Sequence, residues 1–439
     1  MASNGKSITC CAAGDSFITR RLATNDPHAD KLAALMANAD VRFTNLEVVV
    51  RRQEGFPSAQ SGGTWATTEP ESLEDLRAYG FNLLAWATNH TLDYSYGGLA
   101  ATGHYLDRGG WVHAGSGPDL PTAQAPGWLE TPAGRVALLA VTSSFHESWT
   151  AGQPRPDIGG RPGVNPLRSR IRYRVGPETI AWLKRTAAEC GLNAEQALKV
   201  QEGFAREDPP ALTRFGNHLF HPLEPGGVPG AVTTADPRDR DRMIQQIKAV
   251  RNKADCVLVS LHAHQMKDGD KECPADFVGE FARACIDAGA DAVIGHGPHI
   301  LRPIEIYRQR PIFYSLGNFI FQSDTVPYLP ADYYEAYGCP PDATVTEALA
   351  ARTAGGTRGL GCDPRVWRSV VACWTMQDGR LTQLRLHPID LGFQQATDRH
   401  GWPHACNDPA ALQDMIRLCR PFGVKWEIKE ATAHWINEA

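Results

Sequence analysis

Ala292-Val293-Ile294-Gly295-His296-Gly297-Pro298-His299 is the stretch on which the reading of this chain turns. A short apolar strand breaks into a Gly/Pro loop carrying two imidazoles three positions apart. A buried strand has no use for such side chains, whereas neutral imidazole is the commonest protein ligand for transition ions. One pair is a weak signal. It gains weight if other strand ends supply further ligands.

Outward from that loop, four more polar clusters follow apolar β runs: Gly14-Asp15, Asn45-Leu46-Glu47, Asn89-His90 and His262-Ala263-His264. The carboxyl ends of strands in open α/β sheets are where ligands and ions bind. Asp15 after Gly14 also suits an ordinary turn or helix cap, and Asn89 also suits a cap. Glu47 is harder to dismiss, because an acid in the apolar run before Val48-Val49-Val50 is costly to bury alone. Asp93, three residues after His90, is placed to orient that ring. His262 and His264 face the same side if the strand persists. Mixed nitrogen and oxygen donors without thiolate suit Mn, Zn or Fe, as one or two divalent ions. His104, His113, His146, His218 and His221 join no cluster and read as surface or core histidines.

The 439 residues, 42% hydrophobic and 21% charged, suit a soluble α/β enzyme. A formal net charge of -5 gives no reason to expect a nucleic-acid or membrane partner. The 11 cysteines are scattered without Cys-x-x-Cys and read as reduced thiols. No apolar leader and no run of 18 apolar residues is visible, so a cytoplasmic location is expected.

Residues 8–12, 41–44, 81–87, 135–142, 257–261 and 292–294 read as strands. They alternate with helices near 29–39, 72–79, 98–107, 237–252 and 275–288, and Asp236-Pro237 forms a cap-and-first-turn signal. A hairpin is expected over 304–316, further strands over 369–375 and 381–386, and a closing helix over 409–419. The fold class is therefore α/β, a layered sandwich. Pro and Gly cluster between 146 and 235, around a polar helical patch at 177–201, and this reads as a loop-rich insertion. It is either a lid that shapes the substrate site or a surface extension. A second irregular stretch spans 322–365.

Val293-Ile294-Gly295-His296-Gly297-Pro298-His299, then Pro303-Ile304-Glu305-Ile306-Tyr307 and Pro311 to Phe321 with Ser315-Leu316-Gly317-Asn318-Phe319, resemble the CapA-type family named for poly-γ-glutamate capsule biosynthesis. The likeness extends to Gly14-Asp15, Asn45-Leu46-Glu47 and Asn89-His90 with Asp93 and Gly97. The resemblance implies one metallophosphoesterase-like (calcineurin-like) domain over 1–439, a four-layer α/β/β/α sandwich with a dinuclear site. By matching, Asp15 and His299 would hold the first metal, Glu47 would bridge, and Asn89, His262 and His296 would hold the second. His90, supported by Asp93, would serve the leaving group, and Asn318 would line the pocket. Arg302 is a candidate for an anionic substrate or a structural arginine. The chain departs from the pattern where Ser16-Phe17 follows Asp15, leaving out the usual histidine, a gap that His264 could fill. The implied activity is metal-dependent hydrolysis of an ester, amide or phosphoester in a small or peptide-like substrate. The alternatives are a non-hydrolytic accessory of polymer synthesis and a metal-stabilised binding protein.

Overall fold

Period-two alternation along the central strands sends successive side chains into different layers. In the computed structural model, which describes residues 6–23, 26–396 and 399–437, Ile8, Cys10 and Ala12 face one side of the strand Ser7–Phe17 while Cys11 and Ala13 face the other. The inner set meets Val136, Leu138 and Ala140 of Gly134–Thr142 and Leu258 of Cys256–His262 in a core between two sheets.

The first sheet runs in the order Trp426–Lys429, Thr432–Trp435, Arg380–Asp390, Arg368–Gln377, Ser7–Phe17, Val41–Leu46, Leu83–Ala85, Val112–Ala114. The second runs Leu301–Tyr307, Arg310–Leu316, Ala292–His296, Cys256–His262, Gly134–Thr142, Gly127–Thr131. Leu32 and Met36 of the helix Pro27–Met36, with Leu76, Leu99 and Leu106 of the next two helices, cover the outer face of the first sheet. Met243 and Ile247 of Pro237–Arg251, with Phe277 and Phe281 of Asp276–Ala288, cover the second. Three apolar layers between four strata make the α/β/β/α sandwich. Asp236 caps its helix through the Arg238 amide, as the sequence indicated.

The structure differs from the sequence reading in four places. Gly14-Asp15 is not a turn but part of a continuous strand, whose pairing slips between Ala12 and Asp15. The insertion is better ordered than loop-rich: Ser169–Val175, Thr213–Phe215, His218–Pro222 and Gly230–Ala235 form a separate four-stranded sheet. Its strands are largely half-buried or exposed, so polar residues fill them and the alternation is faint. The polar patch within it is two helices, Pro177–Glu189 and Ala194–Gln201, separated near Gly191. Finally, the thiols are not all reduced. Cys11 and Cys373, directly opposite in antiparallel register, form a disulfide. Among the described residues no helix is long and apolar enough to cross a membrane.

Candidate metal centre

Parallel pairing of Ser7–Phe17 with Val41–Leu46, and of Cys256–His262 with Ala292–His296, brings the carboxyl ends of each pair to one edge. Asp15 stands opposite Asn45, and His262 opposite His296. The edges of the two sheets meet there, and Asp15, Glu47 and His262 are wholly buried.

The close approach has a sequence basis. The first strand crosses the Ser315-Leu316-Gly317-Asn318 turn so tightly that a Cβ on Gly14 would lie 1.9 Å from the Gly317 carbonyl oxygen. The Asp15 amide donates to that same carbonyl at 3.0 Å. Only glycine at position 14 lets Asp15 enter the site.

Asp15 Oδ1 accepts from Asn45 Nδ2 at 2.7 Å, and Oδ2 accepts from the Gly297 amide at 2.8 Å. Its Oδ1 also lies 3.4 Å from His296 Nδ1 and 3.7 Å from His262 Nδ1. The two ring nitrogens His262 Nδ1 and His296 Nδ1 are 2.9 Å apart. Ser260 Oγ engages the far side of His296 at Nε2, 2.6 Å away, fixing which nitrogen faces inward. His262 Nε2 lies 2.7 Å from Asn89 Oδ1, 3.2 Å from His264 Nε2 and 3.5 Å from Glu47 Oε1. His299, in the left-handed backbone region at φ 60°, places Nδ1 at 3.8 Å from Glu47 Oε2 and 3.9 Å from Asp15 Oδ2.

Three donor groups emerge: Asp15 with His262 and His296, Glu47 with His262 and His264, and Asp15 with Glu47 and His299. Asn89 adjoins them through His262. His264 does enter the cluster, beside Glu47, whereas Phe17 turns its ring edge against His90 at 5.0 Å.

The electrostatics fit a cation. Both carboxylate oxygens of Glu47 and the Asn45 Oδ1 are buried without a hydrogen-bond donor. Burial, then the charges of Asp15 and Asp93, push the Glu47 carboxyl well above its usual range. Burial opposes ionisation of Asp15 too, but the His296 hydrogen bond and the surrounding imidazoles outweigh it and hold the carboxyl low. Burial drives His262 and His264 well below the usual histidine range and His299 down to about 4. These rings are therefore neutral near pH 7, with lone pairs available. Unpaired carboxylate, neutral imidazoles and amide oxygens are a donor set for a divalent cation.

His90 donates from Nδ1 to Asp93 Oδ2 at 2.7 Å. Asp93 is held in turn by the amides of Ala66 and Gly62, and Asn89 Nδ2 donates to the Gly62 carbonyl. A Cβ on Gly62 would come within 2.7 Å of His90 Nε2, so a glycine there keeps that nitrogen clear.

A cavity of about 330 Å³ opens above His90 and His299. Phe17 and residues 62–64 line one side, and Ser323, Arg352, Arg358 and Leu360 line the other. The second irregular stretch, not the 146–235 insertion, walls this cavity.

Two expected substrate contacts lie elsewhere. Arg302 is fully buried and donates to the carbonyls of Lys271, Ala263 and His264 at 2.9–3.2 Å. It is a structural clamp under the His262-Ala263-His264 segment, not an anion receptor. Asn318 is likewise buried, its Oδ1 2.8 Å from His299 Nδ1 and its Nδ2 donating to the Val366 carbonyl, so it orients a ring and does not line the pocket. Asn45 and Ser260 were not singled out from the sequence. Asn45 had a signal, its place in the Asn45-Leu46-Glu47 cluster; Ser260 in mid-strand had none.

A four-layer sandwich with carboxylates and imidazoles converging at strand ends defines a metallophosphoesterase-like protein. Residues 9–323 match the family described as Bacterial capsule synthesis protein PGA_cap, and the chain belongs to that family. It is 36% identical over 437 residues to the uncharacterized protein y4sH of Sinorhizobium fredii, covering 96% of this chain and 92% of that protein. The PGA biosynthesis protein CapA of Bacillus subtilis is 47% identical over 85 residues, 19% of this chain and 22% of its own length. A probable polyglutamine synthesis accessory protein of Mycobacterium tuberculosis, Rv0574c, is 26% identical over 300 residues, 67% of this chain and 59% of its own length.

Proposed function

We propose that this chain is a metal-dependent hydrolase that cleaves an ester, amide or phosphoester in a small or peptide-like substrate, and that it serves the metabolism of a γ-linked glutamate polymer. The observation that carries the reading is Glu47, a buried carboxylate with no donor on either oxygen, set among neutral imidazoles. Asp15, Glu47, His262, His264, His296 and His299 would hold the ion or ions, with Asn45 and Asn89 supplying amide oxygens. When bound, a divalent cation such as Mn, Zn or Fe supplies Lewis acidity that ionises water near neutral pH and polarises the group under attack.

The chain's own part is proton handling and shape. His90, its Nδ1 committed to Asp93, has Nε2 free to deliver a proton to the leaving group. Asp93 fixes the ring's tautomer and stabilises the imidazolium. The glycine loop at 62–63 and the wall at 323–360 bound the space left for substrate.

The test combines metal analysis with hydrolysis of 4-nitrophenyl phosphate, ester and anilide substrates in added Mn, Zn or Fe. Purified protein is expected to carry metal, and His296→Ala to lose both metal and turnover. His90→Ala is expected to keep the metal and lose about 10²–10⁴-fold in rate. Full turnover in His296→Ala would refute the reading. An accessory, non-hydrolytic role is the second reading, favoured by Phe17 where a histidine is usual and by the name of the mycobacterial relative, a probable polyglutamine synthesis accessory protein. Metal retained with no turnover on any substrate class would favour it.

A further inference from the structure

Most of the wall opposite the histidines lies beyond residue 323, where the match to the family model ends. The helix Val345–Thr353 opens with a reciprocal Thr344–Glu347 cap and ends in Arg352 and Thr353. Arg352 Nη1 donates to the Gly63 carbonyl at 2.7 Å and to Thr64 Oγ1 at 2.8 Å. Those residues continue the loop that holds Asp93 and Asn89. Arg352 thereby straps the wall to the loop that orients His90.

Arg358 is arranged differently. Its side chain is exposed, and its Nε donates to the Arg352 carbonyl at 2.9 Å. Its two η nitrogens have no hydrogen-bond partner, and no carboxylate pairs with it, among the described residues. It lines the cavity over His90 and His299 and also an adjoining cavity of about 510 Å³. The acid in that second space, Asp324, is paired with His400 at 2.8 Å. Apolar wall is supplied by Phe321, Leu360 and Trp367. A guanidinium held by one edge with its fork open matches a planar, two-oxygen anion.

We infer that Arg358 is a specificity-determining residue that binds an anionic group, carboxylate or phosphate, carried on an apolar stem of the substrate away from the reacting bond. This rests on the hydrolase reading of the histidine site, but it is tested by binding, not turnover. The full-length chain, metal-depleted and Mn-loaded, is titrated calorimetrically with tri-γ-glutamate, tripolyphosphate and the uncharged amide form of the tripeptide. Wild type is expected to bind a charged probe and to discriminate against the amide. Arg358→Gln is expected to weaken the charged probe about tenfold in both metal states, with metal stoichiometry and amide binding unchanged. Arg358→Lys, which keeps charge without the fork, is expected to recover only part of the loss. Preference for the peptide assigns a carboxylate; preference for tripolyphosphate assigns a phosphate. Equal affinity of Arg358→Gln and wild type for both anions, or no discrimination against the amide, would overturn the inference. Absence of hydrolysis in the chromogenic assays would count against the hydrolase alone and leave this measurement standing.

Discussion

Replacing Glu47 by glutamine should change sign with metal. In the metal-free protein Glu47 is a buried carboxyl with no donor to either oxygen, and burial and the carboxylates of Asp15 and Asp93 make its ionisation costly. An unsatisfied buried group of this kind costs roughly 1–3 kcal/mol, more when charged. Removing the charge should therefore stabilise the metal-free fold by about that amount. Unfolding entropy of about 2.1 cal/mol/K per residue over 439 residues converts this to a rise of only ~1–3 °C, so the urea midpoint should be measured beside the melting temperature. The pH dependence follows from the same cause. A carboxyl raised above 4.5 in the folded state contributes full stability below pH 4.5 and loses it as pH rises, because the folded state then binds more protons than the unfolded one. Glu47→Gln should remove that fall. In metal the order reverses: an ion at a hundred times its dissociation constant stabilises wild type by about 2.7 kcal/mol, and Glu47→Gln should forfeit most of this. Scanning calorimetry and urea melts of both proteins, in chelator and in Mn, give the four values needed. If Glu47→Gln lowers metal-free stability and leaves the metal-dependent gain intact, the reasoning is refuted.

Arg302→Met should cost about 3 kcal/mol or more in urea unfolding, since one buried and two half-buried carbonyls lose their donor, and lysine should not rescue a site built for a fork. Gly14→Ala places a methyl 1.9 Å from a carbonyl oxygen, so little soluble, circular-dichroism-competent protein should be recovered, whereas ordinary surface substitutions stay within ~0.5 kcal/mol. His387, pushed down to about 4 by burial and then by Arg385 and His434, is protonated in the unfolded chain first. Its contribution is complete above pH 6.5 and is lost as pH falls to 4, of order 2 kcal/mol after allowing for partial exposure; stability of His387→Gln against pH should be flatter across that window.

The apolar strands and the clusters at their ends were legible because both are local. Period two marks the strand, and an acid or imidazole at its exit is conspicuous. Hence Asp15, Glu47, His262, His264, His296 and His299 could be named before any of them was seen to meet. Arg302 could not be read, because backbone carbonyls that accept from a guanidinium leave no mark in a sequence. The Cys11–Cys373 bond spans 362 residues and has no spacing signature. Which irregular stretch borders the site was not legible for a similar reason: loop composition says that a segment is irregular, not which cavity it borders. What joins Arg352 to Gly63 and Thr64 is a contact across nearly three hundred residues.

The place of the first strand has a consequence for biosynthesis. On one edge Ser7–Phe17 meets Val41–Leu46 almost at once, but its other edge is shared by Asn318–Phe321 and Arg368–Gln377. At about 5–20 residues per second, a ribosome takes roughly 20–70 s to deliver those partners. Throughout that interval the nascent chain presents an unzipped hydrophobic ribbon there, with two adjacent bare cysteines on it, and whatever shields ribbons in the cell has that long to act.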